Sequence, residues 1–391
     1  MQFLKHSIIG LSFLGLGFVP PVTASAQSVE LISTLVSAKA VRYSGRSFPT
    51  RNLKSTYEAR GYTPIWLTNG QLNDEGNALL NEIKNAYRDG LDPSEYLGGL
   101  TGFSNIETDE DAARLELALS YTYLTLGRDL FSGITTPSVT DPNIIIKRKK
   151  IDAAQWLEGV SSAGVVAMYR ALRPGHPQYA QLRQMLGGYR SLLLRGGWAP
   201  ISKGGTLKPG MNEPRVNEMR LNLTARGYDL GTELPELYDD GLVEAMKHFQ
   251  KRHGLTPDGV AGPNTFKALS VSAQSRVKQI AINLERWRWL PRNLGQSHIL
   301  VNQAGFELFM IKKGKTVDNR RVIVGKPFHQ SPMFSGKIAY AEFNPTWTVP
   351  LSIAGKEMLP KIRSNPTYLQ DKGYLVYKGW GKNAKPINTY A

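Results

Sequence analysis

Residues 239–269, DDGLVEAMKHFQKRHGLTPDGVAGPNTFKAL, constrain the fold more tightly than any other stretch. Leu242, Ala245, Met246 and Phe249 recur at i, i+3, i+4 and i+7, one apolar stripe along a helix. Lys247, Gln250 and Lys251 fall off that stripe and are expected to face solvent. Gly254 stands just past the last periodic residue, where a left-handed cap favours a residue without Cβ. Pro257-Asp258-Gly259 spells a tight turn, and Gly262-Pro263 opens a second helix with proline at its tolerated first position. Phe266 and Leu269 return apolar side chains to a core. Upstream, Val216, Met219 and Leu223 recur at helical spacing before Gly227-Tyr228. The plainer alternative is a helical hairpin inside a larger domain.

The order of residues here is an apolar helix, Phe249-Gln250, His253-Gly254-Leu255, Asp258-Gly259, Gly262, Thr265 and an apolar end. It resembles the peptidoglycan-binding type 1 module. That resemblance implies a wall-binding role for Phe249, Gln250, His253, Asp258 and Thr265, although many such modules serve only as spacers.

The chain of 391 residues is long enough for two or three cores. Lys5 and His6 precede an apolar run from Ile8 to Val19, and Ala24-Ser25-Ala26 offers a small-residue cleavage site, the pattern of an export signal. The run is short for a membrane span, and no other window is long and apolar enough. A periplasmic protein without a transmembrane segment after cleavage is expected, a retained anchor being the alternative. There is no cysteine, so packing rather than disulfides must hold the fold, and thiol nucleophiles and cysteine-rich metal sites are excluded. Neither a metal nor a cofactor is expected. The net charge of +16 favours anionic surfaces. For an exported chain these are peptidoglycan carboxylates, anionic lipid or other wall polymers rather than nucleic acid. No protein partner can be read from the sequence.

Residues 29–194 read as mainly helical. Leu79, Leu80, Ile83, Ala86 and Tyr87 form one stripe that stops at Asp89-Gly90 with Pro93 beyond. Ala112 to Phe131 form a long apolar helix closed by Gly133, and Tyr179, Leu182, Met185, Leu186 and Tyr189 mark another. Val277, Ile280, Ala281, Leu284 and Trp287 line a later linking helix. After Pro291 the period changes from 3.6 to 2. Strands are expected over 299–302, 306–311, 321–325 and 337–343, with Gly314-Lys315 as a turn.

The tail from Glu285 onward resembles the L,D-transpeptidase catalytic domain. The matching residues are Glu285-Arg286-Trp287-Arg288-Trp289, Val301-Asn302, the run from Val322 to Lys326, Ser331-Pro332-Met333-Phe334, and the run from Asn344 to Ile353. With a helical region and a wall-binding module ahead of it, the layout is similar to the large Gram-negative members of that family, in cell-wall biogenesis and cell shape. The resemblance implies a cysteine thiolate that attacks the diaminopimelate carbonyl of a tetrapeptide stem and expels the terminal D-alanine. The acyl group then passes to an amine of a neighbouring stem, giving a 3-3 crosslink. A histidine activates the thiol and backbone amides hold the oxyanion. In the family these groups sit in a His…Ser-X-Gly-Cys-X-Arg block that these residues do not contain, so the expectation is a chain truncated before it, a fragment without a catalytic residue and inactive as it stands. Trp347, Tyr368 and Trp380 correspond to the start of the family's substrate-capping insertion.

None of the six histidines fits the vacant base role. His6 is in the signal, His176 lies between prolines, and His248 and His253 are too far apart to share a helix face. His298 and His329 read as surface or strand-end residues. Asp239-Asp240 are read as helix N-terminal charge rather than paired catalytic carboxylates. Trp287 and Trp289, two apart on a helix, are expected to pack against the β-domain rather than stack sugars.

The expected fold class is multidomain α+β. A signal peptide (1–26) precedes a helical scaffold (29–205), a three-helix peptidoglycan-binding module (206–272), a linking helix (273–293) and an incomplete, mainly-β L,D-transpeptidase domain (294–391). The alternative function is that of a non-catalytic peptidoglycan-binding periplasmic protein, and a basic nucleic-acid or membrane-surface binder is a third class.

Overall fold

The computed structural model describes residues 26–100, 106–231, 233–379 and 383–387. The signal segment, except Ala26, and Trp380 lie outside the described residues. The chain divides into two units, one ending at Ser335 and one running from Gly336 to Ala391.

The scaffold is organised around the helix Asp109–Ser132. Thr108 caps it by accepting from the Asp111 N–H, and Asp109, Glu110 and Asp111 place negative charge at the positive end of the helix dipole. Its side chains are apolar on almost every face, and Leu115, Leu117, Leu119, Tyr123 and Leu130 are all buried. Helices Ala26–Ser37, Asp74–Lys84, Ala153–Ala163 and Val165–Leu172 surround it and bury Ile32, Leu79, Leu157 and Tyr169 against it. Trp66, Tyr123 and Tyr169 form an aromatic column, with ring centroids 5.4 Å and 5.1 Å apart.

The scaffold is less uniformly helical than expected. Strands Ala40–Tyr43 and Arg46–Pro49 form a hairpin, as do Leu67–Thr68 and Gln71–Leu72. Their turns, Ser44-Gly45 and Asn69-Gly70, have positive φ at both central residues, matching the right-handed twist of paired strands. The stripe through Leu79, Leu80 and Ile83 also breaks early. The α-helix stops at Lys84, Ala86–Asp89 tightens into a 3-10 turn, and Tyr87 is left 38% exposed. Gly90, at φ +74°, ends the turn.

The second core belongs to helices Pro214–Ala225, Asp240–Arg252 and Pro263–Leu269. Val216, Met219, Leu223, Leu242, Met246 and Leu269 are fully buried in it. Gly254 is left-handed at φ +67° directly after the second helix, and Pro263 occupies the first turn of the third. Asp239 is the N-cap of the second helix, accepting from the Leu242 N–H at 2.8 Å while pairing with Arg220 at 2.6 Å. Gln250 departs from expectation: it is 1% exposed. The stripe rule assigned it to solvent because it is polar, but hydrogen bonds within the module satisfy it.

The helices Pro177–Leu194 and Ala273–Trp289 pack on one another through Tyr179, Leu186, Val277, Ile280 and Leu284. Trp287 and Trp289 depart from expectation too. Trp287 lies 5.2 Å from the His176 ring, and Trp289 packs on Ile144 and Ile146 of the scaffold, with Met333 the strand-region side chain at that cluster. The helix brings both indoles to its scaffold side, where apolar partners already sit.

Strands His298–Asn302, Glu307–Lys312 and Lys315–Arg321 form an antiparallel meander, with Ile299 opposite Met310 and Val301 opposite Leu308. Its tight turn is Lys313-Gly314, with φ of +52° and +73°. The strand expected over 321–325 instead lies at Lys315–Arg321; the Val322 N–H still donates to Phe306 O at 2.9 Å, and Ile323 is fully exposed. Nor do residues 337–343 form a strand. β-Branched and aromatic residues adopt a strand only where a neighbour pairs their backbone groups, and none lies alongside among the described residues. Met333–Phe334 pairs in parallel with Ile144–Ile145, tying this region to the scaffold.

In the second unit, 351–364 form a continuous helical run, Tyr368–Asp371 a further turn, and Val376–Lys378 pairs antiparallel with Lys385–Ile387. The protein is thus multidomain α+β.

Candidate functional site

The motif residues of the three-helix module converge on the loop between its second and third helices. Gln250 Nε2 donates to Asp258 Oδ1 at 2.9 Å, Val260 O at 3.0 Å and Thr265 Oγ1 at 3.2 Å. Its Oε1 accepts from the Gly259 N–H at 2.9 Å. One buried amide therefore pins both flanks of a turn whose Gly259 has φ +76°. Asp258 receives the Val260 N–H at 2.9 Å, which together with Gln250 holds its carboxyl below the usual carboxylate range. The Tyr238 hydroxyl closes the turn from beneath by donating to Gly259 O at 2.6 Å.

Phe249 is 1% exposed, and the His253 ring stacks on it at 3.9 Å. Burial lowers the pKa of His253, whose Nδ1 lies 2.8 Å from Phe249 O. Arg226 lies over Trp198 at 3.8 Å and donates to Asn222 and to Leu269 O, and burial draws its pKa down to about 10. Phe249, Gln250 and Thr265 are thus all buried and brought together as the framework of the turn, whereas Asp258 is exposed and His253 half-buried. A polymer outside would meet only the last two.

The run from Glu285 to Trp289 has an equally concrete structural task. Glu285 Oε1 accepts from the Thr135 N–H at 3.0 Å and from Trp289 Nε1 at 3.1 Å, while its Oε2 pairs with Arg288 at 3.0 Å. Arg288, 1% exposed, donates to the backbone carbonyl of Asp89. The Asp89 carboxylate is buried among Arg173 at 3.0 Å, Arg183 at 2.7 Å and the Tyr179 hydroxyl at 2.9 Å. This network joins the scaffold to the linking helix.

Sequence reasoning missed a second buried acid. Glu116 is 0% exposed and accepts from the Tyr57 hydroxyl at 2.6 Å, the Ile65 N–H at 2.5 Å and the Trp66 N–H at 3.0 Å. Burial pushes its carboxyl up to about 7 against these three donors. The available signal was a glutamate flanked by Leu115 and Leu117, the one charged residue between Arg114 and Arg128 of that helix.

Of the residues expected in a capping region, Trp347 is 63% exposed, and Tyr368 stacks with Tyr374 at 6.4 Å. His298 Nδ1 lies 3.0 Å from Gly295 O and His329 is exposed. Among the described residues no group of three His, Cys, Asp or Glu is placed to hold a metal, and no helix is long and apolar enough to cross a membrane.

Comparison with known families matches three successive segments. Residues 51–186 match a scaffold domain, 212–269 the "Putative peptidoglycan binding domain", and 296–390 the L,D-transpeptidase catalytic domain. A Haemophilus influenzae protein described as "Putative L,D-transpeptidase" is 27% identical over 121 residues, 31% of this chain and 24% of its own length. A Bacillus licheniformis protein described as "Probable N-acetylmuramoyl-L-alanine amidase" is 37% identical over 75 residues, 19% of this chain and 21% of its own length. The chain thus spans about a quarter or less of each relative. Matches to a scaffold domain, a peptidoglycan-binding domain and an L,D-transpeptidase catalytic domain thus succeed one another along one polypeptide, the combination that supports a member of the L,D-transpeptidase family.

Proposed function

We propose that this protein works on peptidoglycan outside the cytoplasm, in the periplasm, with the module of 206–272 holding it to the wall. The observation that carries this reading is the module itself, a separate core whose turn is built by Gln250. Its complete catalytic form joins stem peptides into 3-3 crosslinks through a cysteine acyl-enzyme, and Trp347, Tyr368 and Trp380 belong to the substrate-capping region. Acyl transfer of this kind needs a thiolate. These 391 residues contain no cysteine, so by themselves they bind the wall without crosslinking it.

The test is co-sedimentation of the full chain with isolated sacculi, followed by mass analysis of the muropeptides after incubation. Retention with an unchanged muropeptide profile is expected. Failure to sediment would remove the binding reading, and new 3-3 dimers would overturn the inactivity.

A further inference from the structure

The module carries a cleft that the motif residues do not form. It has a volume of about 490 Å³ and opens between the 200–206 segment and the third helix. Its walls include Ile201, Lys203, Arg215, Phe266, Lys267 and Ser270.

The half-buried ring of Phe266 supplies an apolar surface, and the Arg215 guanidinium sits 5.0 Å from its centroid. Arg215 is pre-positioned: its Nε donates to Ser202 O at 3.0 Å and its Nη1 to Gly205 O at 3.1 Å. Among the described residues nothing accepts from its Nη2. Lys203 and Lys267 are exposed, and neither has a carboxylate within 4.0 Å among the described residues. The acids nearby are already engaged. Glu218 accepts from the Ser202 N–H at 2.6 Å and hydroxyl at 2.9 Å, which keep its carboxyl below its ordinary range. Glu213 lies 3.5 Å from Arg215 Nη1. Three cations thus converge on a concave surface that also offers aromatic and aliphatic contact.

We propose that this cleft is the ligand site of the module, and that it takes a short acidic peptide with small apolar side chains, the chemistry of a wall stem peptide. The proposal rests on the reading that the module engages peptidoglycan, and deepens it by placing the contact. Free carboxylates pair with Lys203, Lys267 and the open edge of Arg215, while alanine methyl groups pack on Phe266 and Ile201. An arginine already fixed by two carbonyls loses little freedom on meeting a carboxylate, so it contributes more than a free surface lysine would. The buried framework of Phe249, Gln250 and Thr265 then acts at a distance, by holding the third helix and its Phe266 and Lys267 in place.

The test compares the full-length chain with Lys203→Glu/Lys267→Glu and with a control of equal charge change on the scaffold, Lys39→Glu/Lys84→Glu, all four lysines being exposed. Two probes are used at physiological salt: isolated sacculi, and a soluble disaccharide-tetrapeptide with its carboxyl groups free or amidated. Loss of two charge-assisted contacts should weaken binding of the cleft variant roughly tenfold or more, with the control within about twofold. Amidating the peptide should weaken binding of the unmodified chain comparably. Equal binding by both variants and the unmodified chain would remove the cleft and leave the wall-binding function standing. Equal weakening of both variants, or indifference to amidation, would overturn specific carboxylate recognition. If the unmodified chain ignores both probes, the wall-binding reading fails and the cleft assignment with it.

Discussion

Replacing Glu116 with glutamine should flatten the pH dependence of scaffold stability. The Glu116 carboxylate is fully buried, has three hydrogen-bond donors and no cation within 4.0 Å among the described residues. Burial disfavours the charged form by more than the donors favour it, raising its pKa from 4.5 to about 7. The folded chain therefore holds this proton more tightly than the unfolded chain. The stability it contributes is complete below the unfolded value of 4.5, falls as pH rises through the window, and levels off above about 7. That difference corresponds to about 3 kcal/mol. Glutamine keeps the shape and cannot ionise, so the variant should lack this component. Urea unfolding followed by tryptophan fluorescence at pH 5, 6, 7 and 8 reads it out, since Trp66 is buried beside the site. The unmodified chain should lose stability relative to the variant by about 2–3 kcal/mol from pH 5 to 8, the remainder being lost below pH 5. Parallel stability curves for the two proteins over that range would refute the reasoning.

Arg288→Met keeps much of the buried volume but removes the donor to Asp89 O and the partner of Glu285; a loss of about 3–5 kcal/mol is expected, read by denaturant unfolding and by faster tryptic cleavage of the linking helix. Gln250→Ala strips the Gly259 N–H and the Thr265 hydroxyl of their buried partner, and should cost the module about 2–4 kcal/mol in denaturant titrations reported by Trp198. Gly133→Ala forces a side chain onto a residue at φ +88° and sets its Cβ 2.5 Å from Glu285 Oε1. A drop of about 1–3 kcal/mol is expected, with accelerated amide exchange at Thr135 as the local signature.

What the sequence revealed was mostly what short-range rules control. The 239–269 stretch was legible because its stripe, its Gly254 cap and its Pro263 entry are set by neighbours a few residues away. The two scaffold hairpins were overlooked although Asn69-Gly70 is the pair such turns favour, because the helical period around them dominated the reading. Polarity alone points Gln250 to solvent, since its partners lie eight to fifteen residues away, on the following turn and the start of the third helix. The strand at Lys315–Arg321 alternates little in hydrophobicity, so its register came from the turn before it rather than from its own side chains. Glu116 and Arg288 were opaque for a stronger reason. Whether a buried charge is tolerated depends on groups brought in by the fold, and those of Arg288 lie 199 residues away at Asp89.

That separation has a consequence for how the chain is made. Asp89, Arg173, Tyr179 and Arg183 leave the ribosome well before Arg288, and the scaffold core they border can be assembled by then. Three arginines finally surround the one aspartate, two through its side chain and one through its backbone carbonyl. The nascent scaffold thus waits with one keyhole unfilled. Arg288 can close it only after the three-helix module has been synthesised, so the linking helix is the last element to join the cluster around Asp89.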